Sequence, residues 1–313
     1  MTIDHHLDTY AGQLVAEFTN EYVIDAAGAP PLPPAGDHAW RVRTEFEETP
    51  FNEVWNRFLD TVDTTQVTAL LIGYWGAEYD EHEADPVALL TAAASRFPKL
   101  RSLFLGDIVL EESEVSWIEH TDIGPILAAF PDLERLDVRG STGLVFEPFK
   151  SDALKTLRFE TGGLPASLVR ALGASDLPAL EHLDLWLGTR IYGGDATVDD
   201  LAPVLGGERF PALRHLGLEN SETADDLAAA VASAPVVARL ESLSLALGTL
   251  ADEGAEALLS GQPLTHLRKL DLHHHFVGDA LLDRLRAALP GVEIDSGGQI
   301  AADRDRRFIT VSE

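Results

Sequence analysis

A six-residue motif, apolar at its first, fourth and sixth positions, recurs along most of this 313-residue chain. It reads L-R-S-L-F-L from Leu100, L-E-R-L-D-V from Leu133, L-K-T-L-R-F from Leu154 and L-E-H-L-D-L from Leu180. It returns at Leu213, Leu240 and Leu267, and weaker copies start at Val67 and Leu289. The nine copies lie 21 to 33 residues apart, about 28 on average. Apolar residues two apart, at positions 4 and 6, predict a short strand with one buried side. Strands are expected to begin near residues 68, 101, 134, 155, 181, 214, 241, 268 and 291. Between them Leu281, Leu285 and Leu289 recur at helical spacing, as do Leu227 and Val231. Thr197 and Thr223, each followed by x-Asp-Asp-Leu, read as helix starts: a hydroxyl for orphan N–H groups, then acids for the positive end of the dipole. A strand–helix unit this small closes no core alone, so the units must stack. Parallel strands stack about 4.8 Å apart and helices about 8–10 Å apart, which makes such a stack curve with its strands inside.

The motif and its spacing resemble the leucine-rich repeat in its ribonuclease-inhibitor-like, helix-backed form. Residues 249–258, T-L-A-D-E-G-A-E-A-L, resemble the helix start of that subclass. The resemblance covers residues 67–296. It implies a right-handed α/β horseshoe solenoid, with about nine parallel strands on the concave face and helices on the convex face. One departure is plain. The family's ninth repeat position is usually Asn or Cys, bonded to backbone inside the turn; here it reads Trp75, Ile108, Ser141, Gly162, Gly188, Ser221, Gly248 and His275. The stretches L-D-L-W-L-G from Leu183 and L-D-L-H-H-H from Leu270 also resemble a family of bacterial cytoplasmic leucine-rich-repeat proteins of unassigned activity, which brings no catalytic residues with it.

The ends do not repeat. Terminal repeats expose one side of a stacked core, so residues 1–66 are expected to form an N-terminal cap. Within it, 13–24 and 38–43 look extended, and 26–37, with four prolines and two glycines, reads as a loop. Val54, Trp55, Phe58, Leu59 and Val62 form a helical stripe. Residues 297–313 are expected to form a C-terminal cap, with 308–311 as an edge strand.

The 52 acidic and 23 basic residues give a formal charge of −29, which argues against nucleic acid and anionic membranes as partners. No apolar run reaches a membrane span, and no secretory signal opens the chain, so a cytoplasmic protein is expected. There is no cysteine, hence no thiolate chemistry. Two insertions are acidic: 78–85, whose Asp80, Glu81, Glu83 and Asp85 lack the spacing of a calcium loop, and 109–119, with Glu111, Glu112, Glu114 and Glu119 around Trp117. They read either as solvated loops or as a rim for a cationic partner. The strands themselves are nearly neutral, with eight basic against nine acidic residues over positions 2–8.

Candidate chemistry concentrates on that mixed face. Trp186 falls on an exposed strand position, where it either anchors a partner or folds onto the following loop against Tyr192. Around it the spacing groups Arg139, Arg158, Glu160, His182, Asp184, His215 and Glu219, with Asp271 and His273 further along. These residues are expected to bind a protein partner, making the chain a non-enzymatic scaffold or adaptor without cofactor or metal. The alternative is a metal-dependent hydrolase centred on Asp271, His273 and His275, three residues of alternate spacing on one strand.

Overall fold

The structure is a computed structural model that describes residues 3–24, 28–76, 84–301 and 306–312. Of the first acidic insertion, Asp80, Glu81 and Glu83 lie outside the described residues, as do 303–305 of the C-terminal link. The chain divides into two compact units, residues 1–147 and 148–312.

The first unit carries strands β1 (Thr9–Tyr10), β2 (Gln13–Phe18), β3 (Ala39–Val42), β4 (Ala69–Ile72), β5 (Ser102–Leu105) and β6 (Arg135–Arg139). Its helices are α1 (Glu21–Ile24), α2 (Phe51–Thr61), α3 (Pro86–Ala92) and α4 (Gly124–Ala129). β2 to β6 pair in parallel in chain order, and β1 turns back antiparallel on β2. The non-repeating region thus extends the sheet: Ala16, Trp40 and Leu70 stand in one register. Residues 13–24, expected to be extended throughout, break after Phe18 into α1. The aromatic stripe does pack: Trp55 lies 5.9 Å from Phe58 and 5.8 Å from Phe97.

The second unit carries β7 (Thr156–Glu160), β8 (His182–Gly188), β9 (His215–Ser221), β10 (Ser242–Ser244), β11 (Lys269–Asp271) and β12 (Glu293–Asp295), all parallel and in chain order. Its helices are α5 (Ala166–Ala174), α6 (Ala202–Leu205), α7 (Ala224–Val231), α8 (Asp252–Ser260) and α9 (Asp279–Ala288). The fold is α/β, an open parallel sheet of repeat strands with helical connections in each unit. Every expected strand start lies within two residues of an observed one. Leu103, Leu136, Leu183, Leu216 and Leu243, all at position 4, are fully buried, and so is position 6 beside them. Only the last copy shifts. Leu270 pairs with Ile294, two residues beyond the expected Val292, so Asp295 and not Glu293 stands beside Asp271.

Helix starts are capped from neighbouring repeats. Asp225, in the first turn of α7, accepts from the N–H groups of Ala251 (2.8 Å) and Gly254 (3.0 Å) at the start of α8. Asp252, opening α8, accepts from Gly278 N–H (2.7 Å) just ahead of α9. Asp195 does the same for Ala166 of α5 at 2.7 Å. Thr223, expected to cap its own helix, makes no capping bond. Side-by-side helices bring Asp225 within reach of a neighbour's positive end, whereas in the Thr197 motif Asp200 accepts from the N–H (2.9 Å) and hydroxyl (2.7 Å) of its own Thr197.

The segment 308–311 forms no strand. Three successive repeats place a left-handed residue at position 8: Asn220 (φ 50°), Leu247 (φ 66°) and His274 (φ 56°). The C-terminal segment lies along these three. Val311 N–H donates to Asn220 Oδ1 (3.0 Å), and the Asn220 amide donates back to the Val311 carbonyl and to Thr161. Thr310 N–H donates to the Leu247 carbonyl (2.8 Å), and His274 Nε2 lies 3.1 Å from the Phe308 carbonyl. A side-chain amide has taken the partner role that an edge strand would have filled.

Two predictions follow from the core. Leu216→Ala removes a fully buried side chain between two ladders and should cost about 2–5 kcal/mol in denaturant melts; an unchanged midpoint would refute the core assignment. The second concerns His120, buried in the first unit with Nε2 2.7 Å from the Arg139 carbonyl. Burial pushes its pKa down to about 4, against the smaller opposing effect of that carbonyl. The folded chain therefore takes up this proton later than the unfolded chain does. Its contribution is full above the unfolded value near 6.5 and is lost as pH falls toward about 4, by about 3 kcal/mol in all. His120→Gln should flatten the stability profile over that window, which urea melts at half-unit pH steps will read.

Candidate functional site

Parallel register arranges the strand-face side chains of the second unit in rows. Position 3 runs Thr156, His182, His215, Ser242, Lys269, Glu293. Position 5 runs Arg158, Asp184, Gly217, Ser244, Asp271, Asp295, and at position 7 Trp186 stands beside Glu219. Neighbours in a row are about 4.8 Å apart, so each side chain meets its equivalents before anything else.

Seven of the residues grouped by sequence meet in one network. Asp184 is at its centre. His182 Nε2 lies 2.7 Å from Asp184 Oδ2, and His215 Nε2 lies 2.7 Å from Oδ1. The two imidazoles stack, with centroids 4.0 Å apart and planes 10° from parallel. Arg158 Nε approaches Asp184 at 3.6 Å, while its Nη1 pairs with Glu160 at 2.8 Å. Trp186 Nε1–H donates to Glu219 Oε2 (2.8 Å), the Arg158 guanidinium stands 5.8 Å from the indole centroid, and Ser244 hydroxyl donates to the other Glu219 oxygen. Burial would raise the Asp184 pKa, but the hydrogen bonds from His182 and His215 outweigh it and hold the carboxyl well below its ordinary value. Glu219 goes the other way: burial, then the charge of Asp184, push it up.

Trp186 is 0% exposed, and this corrects the expectation of an exposed aromatic anchor. The position-5 and position-7 groups of the strands on each side stand against it. Arg158, Glu160, Asp184 and Glu219 are buried as well, and access is left to His182 and His215. Arg139 belongs to the first unit, where its Nη1 donates to the Ile108 carbonyl (2.6 Å) and its guanidinium stands 5.2 Å from the Phe104 ring. There the strand face is covered by the chain itself. Tyr10 packs with Ala39, Ala69, Leu71 and Phe104, and its hydroxyl donates to Asp137 (2.8 Å).

Asp271 and His273 do meet, with His273 Nδ1 2.6 Å from Asp271 Oδ1, and Lys269 Nζ holds the other oxygen at 2.8 Å. The third member of the cluster is Asp295, not His275. His275 is fully buried; its Nδ1 accepts from Val277 N–H (3.1 Å) and its Nε2 lies 3.2 Å from the Ser296 carbonyl. It fills the backbone-bonding role that the ninth repeat position has in the resembled family, and so leaves the expected Asp271–His273–His275 site. Hydroxyls do comparable work in neighbouring turns: Thr161 donates to the Trp186 carbonyl (2.8 Å) and Thr249 to that of Glu222 (2.9 Å).

A second chemical reading arises at Ser242. Its Oγ is 2.6 Å from His215 Nδ1, which puts hydroxyl, imidazole and Asp184 in line as in a nucleophilic triad. The Ser242 N–H, however, is committed to the Arg214 carbonyl in the sheet (3.1 Å) and offers nothing to an oxyanion. The alignment acts as a strand-to-strand bond.

No protein-family profile and no curated protein matches this chain. Among solved structures, the chain is similar to a Bacteroides fragilis protein determined by structural genomics, with 28% identity and a TM-score of 0.77 over 85% of this chain and 76% of that one. It is more distantly similar to the leucine-rich-repeat domain of APL1B, with 14% identity and a TM-score of 0.32 over 88% of this chain and 70% of that one. A leucine-rich-repeat protein of Leptospira interrogans shares 12% identity at a TM-score of 0.20, over 83% of this chain and 90% of that one. The parallel register of the repeat strands is that of a leucine-rich-repeat-like fold, and the first likeness shows a second chain of similar fold.

Trp186 should act on stability. Trp186→Ala opens a large cavity and should cost about 3–5 kcal/mol. Trp186→Phe keeps most of the volume but strips Glu219 of a donor, and about 1–3 kcal/mol should be lost. Thermal melts of both variants test the order; a Trp186→Ala midpoint equal to wild type would refute the burial.

Proposed function

We propose that this chain is a non-enzymatic protein-binding scaffold of the ribonuclease-inhibitor-like leucine-rich-repeat kind, docking its partner on the strand face of the second unit. The observation that carries the reading is the row at position 2. Lys155, Glu181, Arg214, Glu241 and Arg268 alternate in sign from one strand to the next, at the mouth of the sheet. Their side chains are exposed or half-exposed, and Arg268 pairs with Glu241 at 3.1 Å in open solvent. His182, His215, Asp271 and His273 continue the accessible surface behind that row, over the sealed network of Arg158, Glu160, Asp184, Trp186 and Glu219. Alternating charge with little net sign favours a partner that matches it in register, which gives specificity more than bulk attraction.

The test begins with affinity purification from the source cells and proceeds to titration of the recovered partner. Glu181→Lys with Glu241→Lys turns the row uniformly basic while leaving the core untouched. Binding should weaken by about tenfold or more with the melting temperature unchanged, as charge reversal at a rim predicts. A partner that binds the double variant as well as wild type would place the docking surface elsewhere.

A further inference from the structure

We propose that His182 Nε2, His215 Nε2 and the Asp184 carboxylate form a binding site for a divalent first-row transition-metal ion. Two imidazole nitrogens and one carboxylate suit zinc, cobalt, nickel or ferrous iron, whereas magnesium and calcium favour all-oxygen sets. All three donors come from the adjacent strands β8 and β9, and their ligand atoms lie within 4.8 Å of one another. Each nitrogen is already 2.7 Å from a carboxylate oxygen. Tetrahedral metal bonds of about 2.0–2.1 Å need neighbouring donors about 3.3 Å apart, which the site reaches by a side-chain rotation with no movement of the strands. The ion takes the place of the protons now shared with Asp184. The His182 side chain is 39% exposed, so its ring has room to turn out of the stack until both nitrogen lone pairs converge.

Three surrounding features fit an ion. Gly217 stands between Asp184 and Ser244 in the position-5 row, and a Cβ there would lie 2.2 Å from Asp184 Oδ1. Glycine keeps the space beside the carboxylate open. Ser242 Oγ, 2.6 Å from His215 Nδ1, is placed to accept that nitrogen's proton once Nε2 faces an ion, the outer-shell arrangement that ligating histidines use. Third, Glu160, Asp184 and Glu219 are buried together with the Arg158 guanidinium among them, and a dication supplies countercharge to that acidic excess. The Asp271–His273–Asp295 cluster is the weaker candidate, because the Lys269 ammonium, 2.8 Å from Asp271, already fills the cation's place. The inference stands apart from the docking role: the ion would tie β8 to β9 whether or not a partner binds.

The test uses the full chain without a histidine tag, stripped with EDTA, and titrated with zinc chloride by calorimetry and with cobalt chloride by visible absorption. One equivalent should bind. His182→Gln, which alters a partly exposed side chain and leaves the fold intact, should weaken binding by about tenfold or more, and Asp184→Asn should do the same. Ser242→Ala should weaken it by about 10- to 100-fold, as loss of an outer-shell partner does. His273→Gln should change nothing. Absence of stoichiometric binding to wild type overturns the site. So does binding that survives His182→Gln, or binding that is lost with His273→Gln.

Discussion

Strands about 4.8 Å apart in parallel register leave each side chain little choice of neighbour. Whatever stands at one repeat position touches the same position one strand on. Rows 4 and 6 satisfy this with leucine and its kin, and those rows make the core. Rows 5 and 7 face away from it yet are nearly as buried, because Trp186, Arg158 and Phe104 are large enough to close over their neighbours. Polar groups caught in such rows must be paired where they stand, since unpaired burial is costly. The network of Asp184, Glu160 and Glu219 with two histidines, an arginine, an indole N–H and a serine meets that demand.

The two units cover their strand faces differently. In the first, small and apolar residues at rows 3 and 5, Ala39, Ala69 and Leu71, make a shallow bed on which Tyr10 and Leu7 lie. Burial and the Asp137 charge push the Tyr10 phenol well above its ordinary range, so it stays a hydrogen-bond donor. In the second, the corresponding rows hold charged side chains, and no peptide segment among the described residues is recorded over them. Water reaches the face there through His182 and His215.

Much of this was legible from the chain alone, for physical reasons. Leucines at positions 1, 4 and 6 can satisfy a parallel ladder in one way, so the strand starts and the buried set followed directly. The last copy was ambiguous because Val292 and Ile294 are both apolar and two apart; a shift of two keeps the same side buried, and nothing in the pattern chooses between registers. That shift is why Asp295 was missed beside Asp271. Trp186 is buried where its strand position predicts exposure, because exposure on a strand face depends on the bulk of residues one strand away, not on position along its own strand. Of the bends at Asn220, Leu247 and His274, the first and last use residue types that tolerate left-handed backbone, but Leu247 carries no such local signal; its carbonyl is bonded by a segment more than sixty residues onward.

The aspartates that cap neighbouring helices set a rule for how such a chain can be cut and joined. Asp225 serves α8 and Asp252 serves the start of α9, so a repeat as counted by its leucines does not carry everything its own helix requires. Both bonds span 26 residues, so excising a whole repeat lets the preceding aspartate meet the next helix start, whereas a cut between an acid and the turn it serves leaves N–H groups bare. Splicing in a copy would succeed only if the graft both brought and met an aspartate at the right turn. Change in this protein is therefore easier in the connections that follow strands, where length already varies from copy to copy, than between an aspartate and the turn it caps.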